Sequence, residues 1–249
     1  MAASKKSPEL QLPEGAVARG RFRQQKLDEI AATFKGLRKM HPDAHCELEH
    51  VNAFQLLCAT VLSAQTTDVA VNKATPKLFA KYPDARTMAK ATPEEIEPFV
   101  GTLGFFRQKA KSLVGLAKAL MDRHGGEVPR TLDELVELPG VGRKTANVVL
   151  GVAFHAPEGV VVDTHVQRIA QRLGWTKEKE PEKIERDLCK KLPREDWDLT
   201  SHLLIFHGRR VCFAARPQCG ECKVNTLCPS AFRAETIGRK PVRKRVTGA

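Results

Sequence analysis

The chain has 249 residues, enough for one large domain or two modest ones, and its 42% apolar content is ordinary for a globular protein with a real core. Forty-one Lys and Arg against 29 Asp and Glu leave a net charge of +12, which favours an acidic partner such as nucleic acid over a neutral metabolite. No apolar run approaches the ~20 residues of a membrane-spanning helix, and seven cysteines without a signal-type hydrophobic segment argue for a reducing intracellular compartment.

Residues 1–20 carry Pro, Gly, Ser and charge without apolar periodicity and read as a flexible tail; Glu9 and Glu14 interrupt any transit-peptide pattern. From Phe22 the pattern turns helical, with Leu27, Ile30, Ala31, Phe34 and Leu37 on one face and His41-Pro42-Asp43 as the stop. Asn52 precedes an apolar helix through Phe54, Leu57, Cys58, Val61 and Leu62. The polar run Ser63 to Asp68 follows, in which Asp68 or a neighbouring Thr caps the next helix. Thr92-Pro93-Glu94-Glu95 combines an N-cap, a proline at the first helical position and a capping glutamate; Pro98 should bend or shorten that helix. Gly101-Thr102-Leu103-Gly104-Phe105-Phe106 leads into a long helix with Ala110, Leu113, Val114, Ala117, Leu120 and Met121 on one face, ended by Gly125-Gly126.

Thr131 and Glu134 then form a capping box before Leu132, Leu135, Val136 and Leu138, and Pro139-Gly140 stops that helix. A second helix resumes at once with Ala146, Val149, Leu150 and Ala153 at the spacing of one buried face. The unit is helix, tight hairpin, helix. Gly140 and Gly142 predict φ > 0 in the hairpin, and with Val141 they let backbone amides and the positive end of the second helix face a phosphate oxygen. Arg143 and Lys144 lie in that electropositive corner. Past Asp163, Val166, Ile169, Ala170 and Leu173 make a short helix closed by Gly174; Ile184, Leu188 and Leu192 follow on a helix begun near Pro181, and Trp197 to Phe206 is helical too. Only Val160 to Val162 resembles a strand, and three residues without a partner do not make a sheet. The fold class is all-α, with no internal repeat.

Cys212, Cys219, Cys222 and Cys228, spaced C-x6-C-x2-C-x5-C within 17 residues, suit a metal centre. Spacing leaves an iron–sulfur cluster and tetrahedral zinc comparable, with a local disulfide loop as the blander alternative. Cys46, Cys58 and Cys189 lack such clustering.

Together, LPGVGRKTANVV, the VDTH that follows it, LLCATVLSAQTTD before it and the cysteine spacing resemble the endonuclease III family, base-excision DNA glycosylases of the helix-hairpin-helix superfamily. The resemblance runs from about Phe22 to Pro229. It implies a two-lobed fold: a six-helix barrel lobe over 46–156 and a lobe of 21–45 and 157–230 holding a [4Fe-4S] cluster on the four cysteines; beyond it, the charge run Arg239 to Arg245 in the basic tail over 231–249 reads as an electrostatic footprint that adds nonspecific affinity. It also implies a monomer in the cytoplasm, associated with chromosomal DNA, whose partner is double-stranded DNA bearing damaged pyrimidines or abasic sites. Gln65 matches the glutamine that fills the gap left by a flipped base, and Leu103-Gly104-Phe105 matches the loop that wedges the opposite strand, with Phe105 where an aliphatic residue is expected. Without the resemblance, Gln65 reads as a helix-end cap and Phe105 as a core aromatic. The loop Phe213 to Gln218 is less basic than the family's, and Arg209 and Arg210 are candidates to compensate as phosphate contacts.

Lys144 and Asp163 supply the chemistry. Cleaving an N-glycosidic bond develops positive charge on the sugar, which a carboxylate stabilises, while a neutral amine attacks C1′; burial or a positive neighbourhood such as Arg143 would favour the neutral amine. Without the resemblance Lys144 reads as a phosphate contact and Asp163 as the N-cap of the helix after it. The alternatives to a bifunctional glycosylase/lyase are a monofunctional relative, which activates water and generally lacks this lysine, and a noncatalytic DNA-binding module.

Overall fold

The computed structural model describes residues 23–237; among them the regular elements are all helical, with no strand. The first helix, α1 (Leu27–Met40), starts where the Glu29 carboxylate accepts the Lys26 amide at 2.9 Å. It begins later than Phe22, and its inner face is Ile30, Thr33, Phe34 and Leu37. Leu27 and Ala31, expected on that face, are exposed because the helix meets its neighbours over a narrower arc.

Seven consecutive helices build the first core: α2 (Ala53–Leu62), α3 (Asp68–Lys81), α4 (Ala85–Met88), α5 (Pro93–Val100), α6 (Phe106–His124), α7 (Leu132–Val136) and α8 (Arg143–Phe154). Their starts follow the local chemistry. Asn52 Oδ1 accepts the Gln55 amide at 2.9 Å, Thr67 Oγ1 accepts that of Ala70 at 3.3 Å, and Glu95 reaches back to the Thr92 amide at 2.9 Å. Phe54 through Leu62 are all buried, so α2 is enclosed on every side, with Gln55 and Thr60 its two polar residues there.

A second core joins α1 to α9 (Thr164–Arg172), α10 (Pro181–Cys189), α11 (Trp197–Arg210) and the cysteine loop, around Trp175 and Ile169. Trp175 is fully buried, and its indole N–H donates to Gln25 Oε1 at 2.8 Å. Val160 to Val162 forms no strand; the Val161 amide donates to Ser201 Oγ at 2.9 Å instead. The cores touch where α8 packs on α11. Packing on the second core continues to Ile237, whose carbonyl accepts from Arg172 at 2.9 Å. The N-terminal segment 1–20 and the basic run Arg239 to Arg245 lie outside the described residues.

The chain turns after α9 through Gly174, at φ +71°, where an added Cβ would lie 2.6 Å from the Arg23 carbonyl oxygen. Gly125, at φ +61°, ends α6 in open space. Gly125→Ala should therefore cost only the left-handed penalty, about 1 kcal/mol, and Gly174→Ala at least about twice that, because backbone must also move. Urea unfolding measures both; equal costs would contradict the close approach at Gly174.

Candidate functional site

The hairpin is built as its residues dictate. Thr131 Oγ1 accepts the Glu134 amide at 3.3 Å, α7 ends at Val136, and the Val141 amide closes the turn on the Leu138 carbonyl at 3.1 Å. Leu138 and Val141 are buried while Val136 is 40% exposed, so the apolar spacing read for this helix is only partly an inner face. Gly140 takes φ +78° as required, but Gly142 does not: its φ is −95°, an ordinary extended residue before α8, with open space where a Cβ would stand. No side chain caps α8, so its first-turn amides and the positive end of its dipole are left for an anion.

Ala146, Val149 and Leu150 turn into the first core, Asn147 is buried on the side of Gly159 and Glu185, and Arg143 and Lys144 lie on the exposed first turn. The Lys144 amine has no hydrogen bond or ion pair among the described residues. Arg143 donates to Glu185 of α10 at 2.8 Å, so this expected phosphate contact is occupied by a carboxylate of the second core.

Asp163 opens α9: its Oδ1 accepts the Val166 amide at 2.7 Å, and Oδ2 accepts no hydrogen bond among the described residues. It lines a cleft of about 990 Å3 between the cores with Thr66, Asp68, His165 and Arg209, whereas Lys144 is not in that lining. Arg209 binds Asp68 at 2.9 Å and also Glu47, and Arg210 binds Asp43 at 2.8 Å with its guanidinium over the Phe206 ring. Neither is a bare phosphate contact.

Two exposed loops flank the polar run. Gln65, at φ +54°, caps nothing: α2 closes through the Ser63 amide, and the Thr66 amide returns to the Ser63 carbonyl at 3.0 Å. Phe105, at φ +58°, is 71% exposed and is no core aromatic. Leu103, expected in the same loop to meet DNA, is buried in the first core, and Gly104 beside it is exposed. Non-glycine residues in the left-handed region are uncommon, and side chains held there in solvent mark candidate functional positions.

Cys212, Cys219, Cys222 and Cys228 line one pocket, and none forms a disulfide. Among the described residues, no three histidine, cysteine or carboxylate side chains stand at ion-holding spacing. The donor set nonetheless fits an anionic metal centre. Arg172 is fully buried and aims at this loop, donating to the carbonyls of Phe213 at 2.6 Å and Ala214 at 2.9 Å and to Cys212 Sγ at 3.3 Å. Arg168 is buried too, on the Gly208 carbonyl at 2.9 Å and His165 Nδ1 at 3.2 Å. Neither guanidinium has a carboxylate partner among the described residues, and buried cations call for negative charge. Four thiolates on a divalent centre carry it; a disulfide does not. Burial pushes the Cys222 thiol up to about 11 and Cys228 up to about 12, so the charge of a metal centre is what would draw off their protons. On the same pocket, burial pushes His207 down to about 3; it pairs with His41 at 3.1 Å and approaches Cys222 Sγ at 3.8 Å.

Sequence reasoning missed Arg168, Arg172 and His207. The signal was there for the arginines: spaced i, i+4, they break the apolar rhythm of Val166, Ile169 and Leu173. It also missed Lys109, which is 6% exposed, donates to Thr66 Oγ1, and has its amine pushed down by burial.

Residues 58–194 match the family described as HhH-GPD superfamily base excision DNA repair protein. Endonuclease III of Synechocystis sp. is 52% identical over 195 residues, covering 78% of this chain and 89% of the relative. That of Bacillus subtilis is 46% identical over 85% of this chain and 97% of its own. A solved structure of a trapped endonuclease III–DNA covalent intermediate, an estranged-adenine complex, superposes with a TM-score of 0.78 at 44% identity, over 86% of this chain and 99% of that one.

Burial holds His41 and His165 below their ordinary 6.5. The unfolded chain therefore binds more protons than the folded one just below pH 6.5, and the stability these neutral rings contribute is lost as pH falls. The unfolding free energy should drop from about pH 6.5 to 5, above the carboxylate range, and the drop should be shallower, though not lost, in His41→Gln and His165→Gln, because buried His207 contributes to it as well. A wild-type curve level across that window would contradict the assignment.

Proposed function

The chain belongs to the HhH-GPD superfamily of base excision DNA repair proteins and, within it, to endonuclease III; from that membership we propose how its own residues perform base excision and abasic-site cleavage. The chain is a DNA glycosylase with abasic-site lyase activity. Its proposed substrates are oxidised pyrimidines, such as thymine glycol, in double-stranded DNA, and it acts as a monomer on chromosomal DNA.

The observation that carries the assignment of the nucleophile is the unpartnered Lys144 amine on the first turn of α8, directly after the hairpin, in a chain 52% identical to an endonuclease III. The hairpin backbone at Gly140, Val141 and Gly142 and the free amides of α8 take a phosphate, which fixes the strand beside Lys144. The damaged base leaves the stack; Gln65 fills the gap, and Phe105 wedges the opposite strand with Gly104 allowing approach. Leu103 supports that loop from the core. DNA covering the hairpin strips water from the amine, which favours the neutral form that attacks.

The amine nitrogen bonds to C1′ as the base departs with the glycosidic electron pair. Asp163 supports the positive charge that builds on the sugar. Loss of the amine proton and ring opening leave an imine, which acidifies the C2′ hydrogen; its removal expels the 3′ phosphate and cuts the strand by β-elimination. A monofunctional route through activated water would need no amine here. Cys212, Cys219, Cys222 and Cys228 hold a [4Fe-4S] cluster, supported by the family, the shared pocket and the two buried guanidiniums. When bound, that group is structural or redox-active and takes no part in glycosyl transfer. No helix among the described residues is long and apolar enough to cross a membrane.

Lys144→Gln should abolish strand cleavage of an end-labelled thymine glycol duplex, and Asp163→Asn should slow single-turnover excision by about 10²–10³. Strand cleavage retained in Lys144→Gln would overturn the lyase assignment. Glu185→Gln, which frees Arg143, should tighten DNA binding at low salt and steepen the log Kd against log salt slope by about one; an unchanged slope would show that Arg143 stays off the phosphates. The purified protein should be yellow-brown, with the visible absorption lost in Cys222→Ser; a colourless protein containing zinc would contradict the cluster.

A further inference from the structure

Lys109 is the buried cation that the reaction above leaves without a task. It sits in the first turn of α6, its amide donating to the Phe105 carbonyl at 3.0 Å, and its side chain is 6% exposed. No carboxylate pairs with it among the described residues; its amine ends on Thr66 Oγ1, forty-three positions back in the chain. An ammonium group only donates, so the Thr66 hydroxyl must accept from Lys109 and send its own proton elsewhere. It sends it to the Ala64 carbonyl, at 3.4 Å. Ala64 and Thr66 bracket Gln65, so the lysine fixes the sense of the hydroxyl that staples the turn carrying Gln65.

Both turns are strained in the same way. Gln65 at φ +54° and Phe105 at φ +58° are non-glycine residues in the left-handed region, and such residues persist only where surrounding contacts over-determine them. Lys109 touches both, one through its backbone and the other through its side chain. The geometry points to Lys109 as a positioning residue that locks the Gln65 turn to the Phe105 turn, so that the two side chains enter the duplex as one rigid probe. This rests on the assignment of Gln65 and Phe105 as the side chains that enter DNA. A phosphate contact would leave the side chain extended into solvent, whereas this residue is 6% exposed and its amine is already bonded.

The test uses the full chain and a duplex with 2-aminopurine opposite a tetrahydrofuran abasic analogue, whose fluorescence rises as the orphan base is unstacked. Gln65→Ala and Phe105→Ala establish the underlying assignment by lowering that rise. Lys109→Met and Thr66→Val should each lower it too and slow single-turnover excision about tenfold, the scale of a loosened positioning contact. Thr66→Ser, which keeps the hydroxyl, should restore both readings. The Lys109→Met/Thr66→Val double variant should be no worse than either single variant, because both break one linkage. The salt dependence of binding to undamaged DNA should stay at wild type. A wild-type fluorescence rise in Lys109→Met and Thr66→Val, with Gln65→Ala impaired, would overturn the linkage while leaving the probe assignment standing. A fluorescence rise unchanged in Gln65→Ala and Phe105→Ala would overturn the probe assignment, and the linkage with it. A shallower salt slope in Lys109→Met would make the lysine a phosphate contact instead. If Lys109→Met does not fold, Thr66→Val against Thr66→Ser decides the question alone.

Discussion

The grip of the first core on α8 is the constraint from which the site follows. Val149 and Leu150 are fully buried, each contributing about 1.5–3 kcal/mol of burial, and Ala146 packs beside them, so the helix is fixed about its axis. With that face inward, the first turn has to project Arg143 and Lys144 into solvent, and Gly140 lets the chain fold back tightly enough for the turn to begin at once. Because α8 also packs on α11, the same helix sets where the second core, and Asp163 at the head of α9, stand relative to the hairpin.

Electrostatics divides the cations into three groups with different work. Arg143, Arg209 and Arg210 are exposed or half-exposed and hold carboxylates, two of them across the cores: Arg143 to Glu185 and Arg209 to Asp68 and Glu47. The exposed Arg210–Asp43 pair is worth about 0–1 kcal/mol, whereas the Glu185 side chain is only 13% exposed, so drawing Arg143 away to a phosphate leaves a largely buried carboxylate behind. Arg168 and Arg172 are buried without carboxylates and face the cysteine loop, where the proposed anionic cluster would answer them. Lys144 alone among the site's cations is exposed and unpartnered. The net charge of +12 attracts DNA as a whole, but this division decides which cations are free to act on it.

Much of this was legible in the residues, because it is local. Asn52, Thr92, Thr131 and Asp163 cap helices through bonds to amides within three residues, and such bonds need no tertiary context. The all-helical class, the hairpin and the cysteine spacing were readable on the same footing. Exposure was not. Periodicity placed Leu27 and Ala31 inside because it cannot tell how wide an arc the neighbours cover, and the family resemblance grouped Leu103 with Phe105 although one is buried and the other exposed. The left-handed positions 65 and 105 are themselves held by Gln and Phe, residue types that do not announce that conformation. Lys109 with Thr66, Arg172 with the Cys212 loop, and Arg143 with Glu185 are long-range pairs, each invisible until the fold brings the partners together.

The central claim is that one amine, on the first turn of α8, forms the bond to the sugar. Sodium borohydride reduces an imine to a stable amine, so trapping the enzyme on abasic DNA, followed by digestion and mass spectrometry of the adduct, locates the bond directly. A single modified peptide is expected, with the sugar remnant on Lys144. An adduct on Lys109 or on the chain's terminal amine, or no adduct at all, would contradict it.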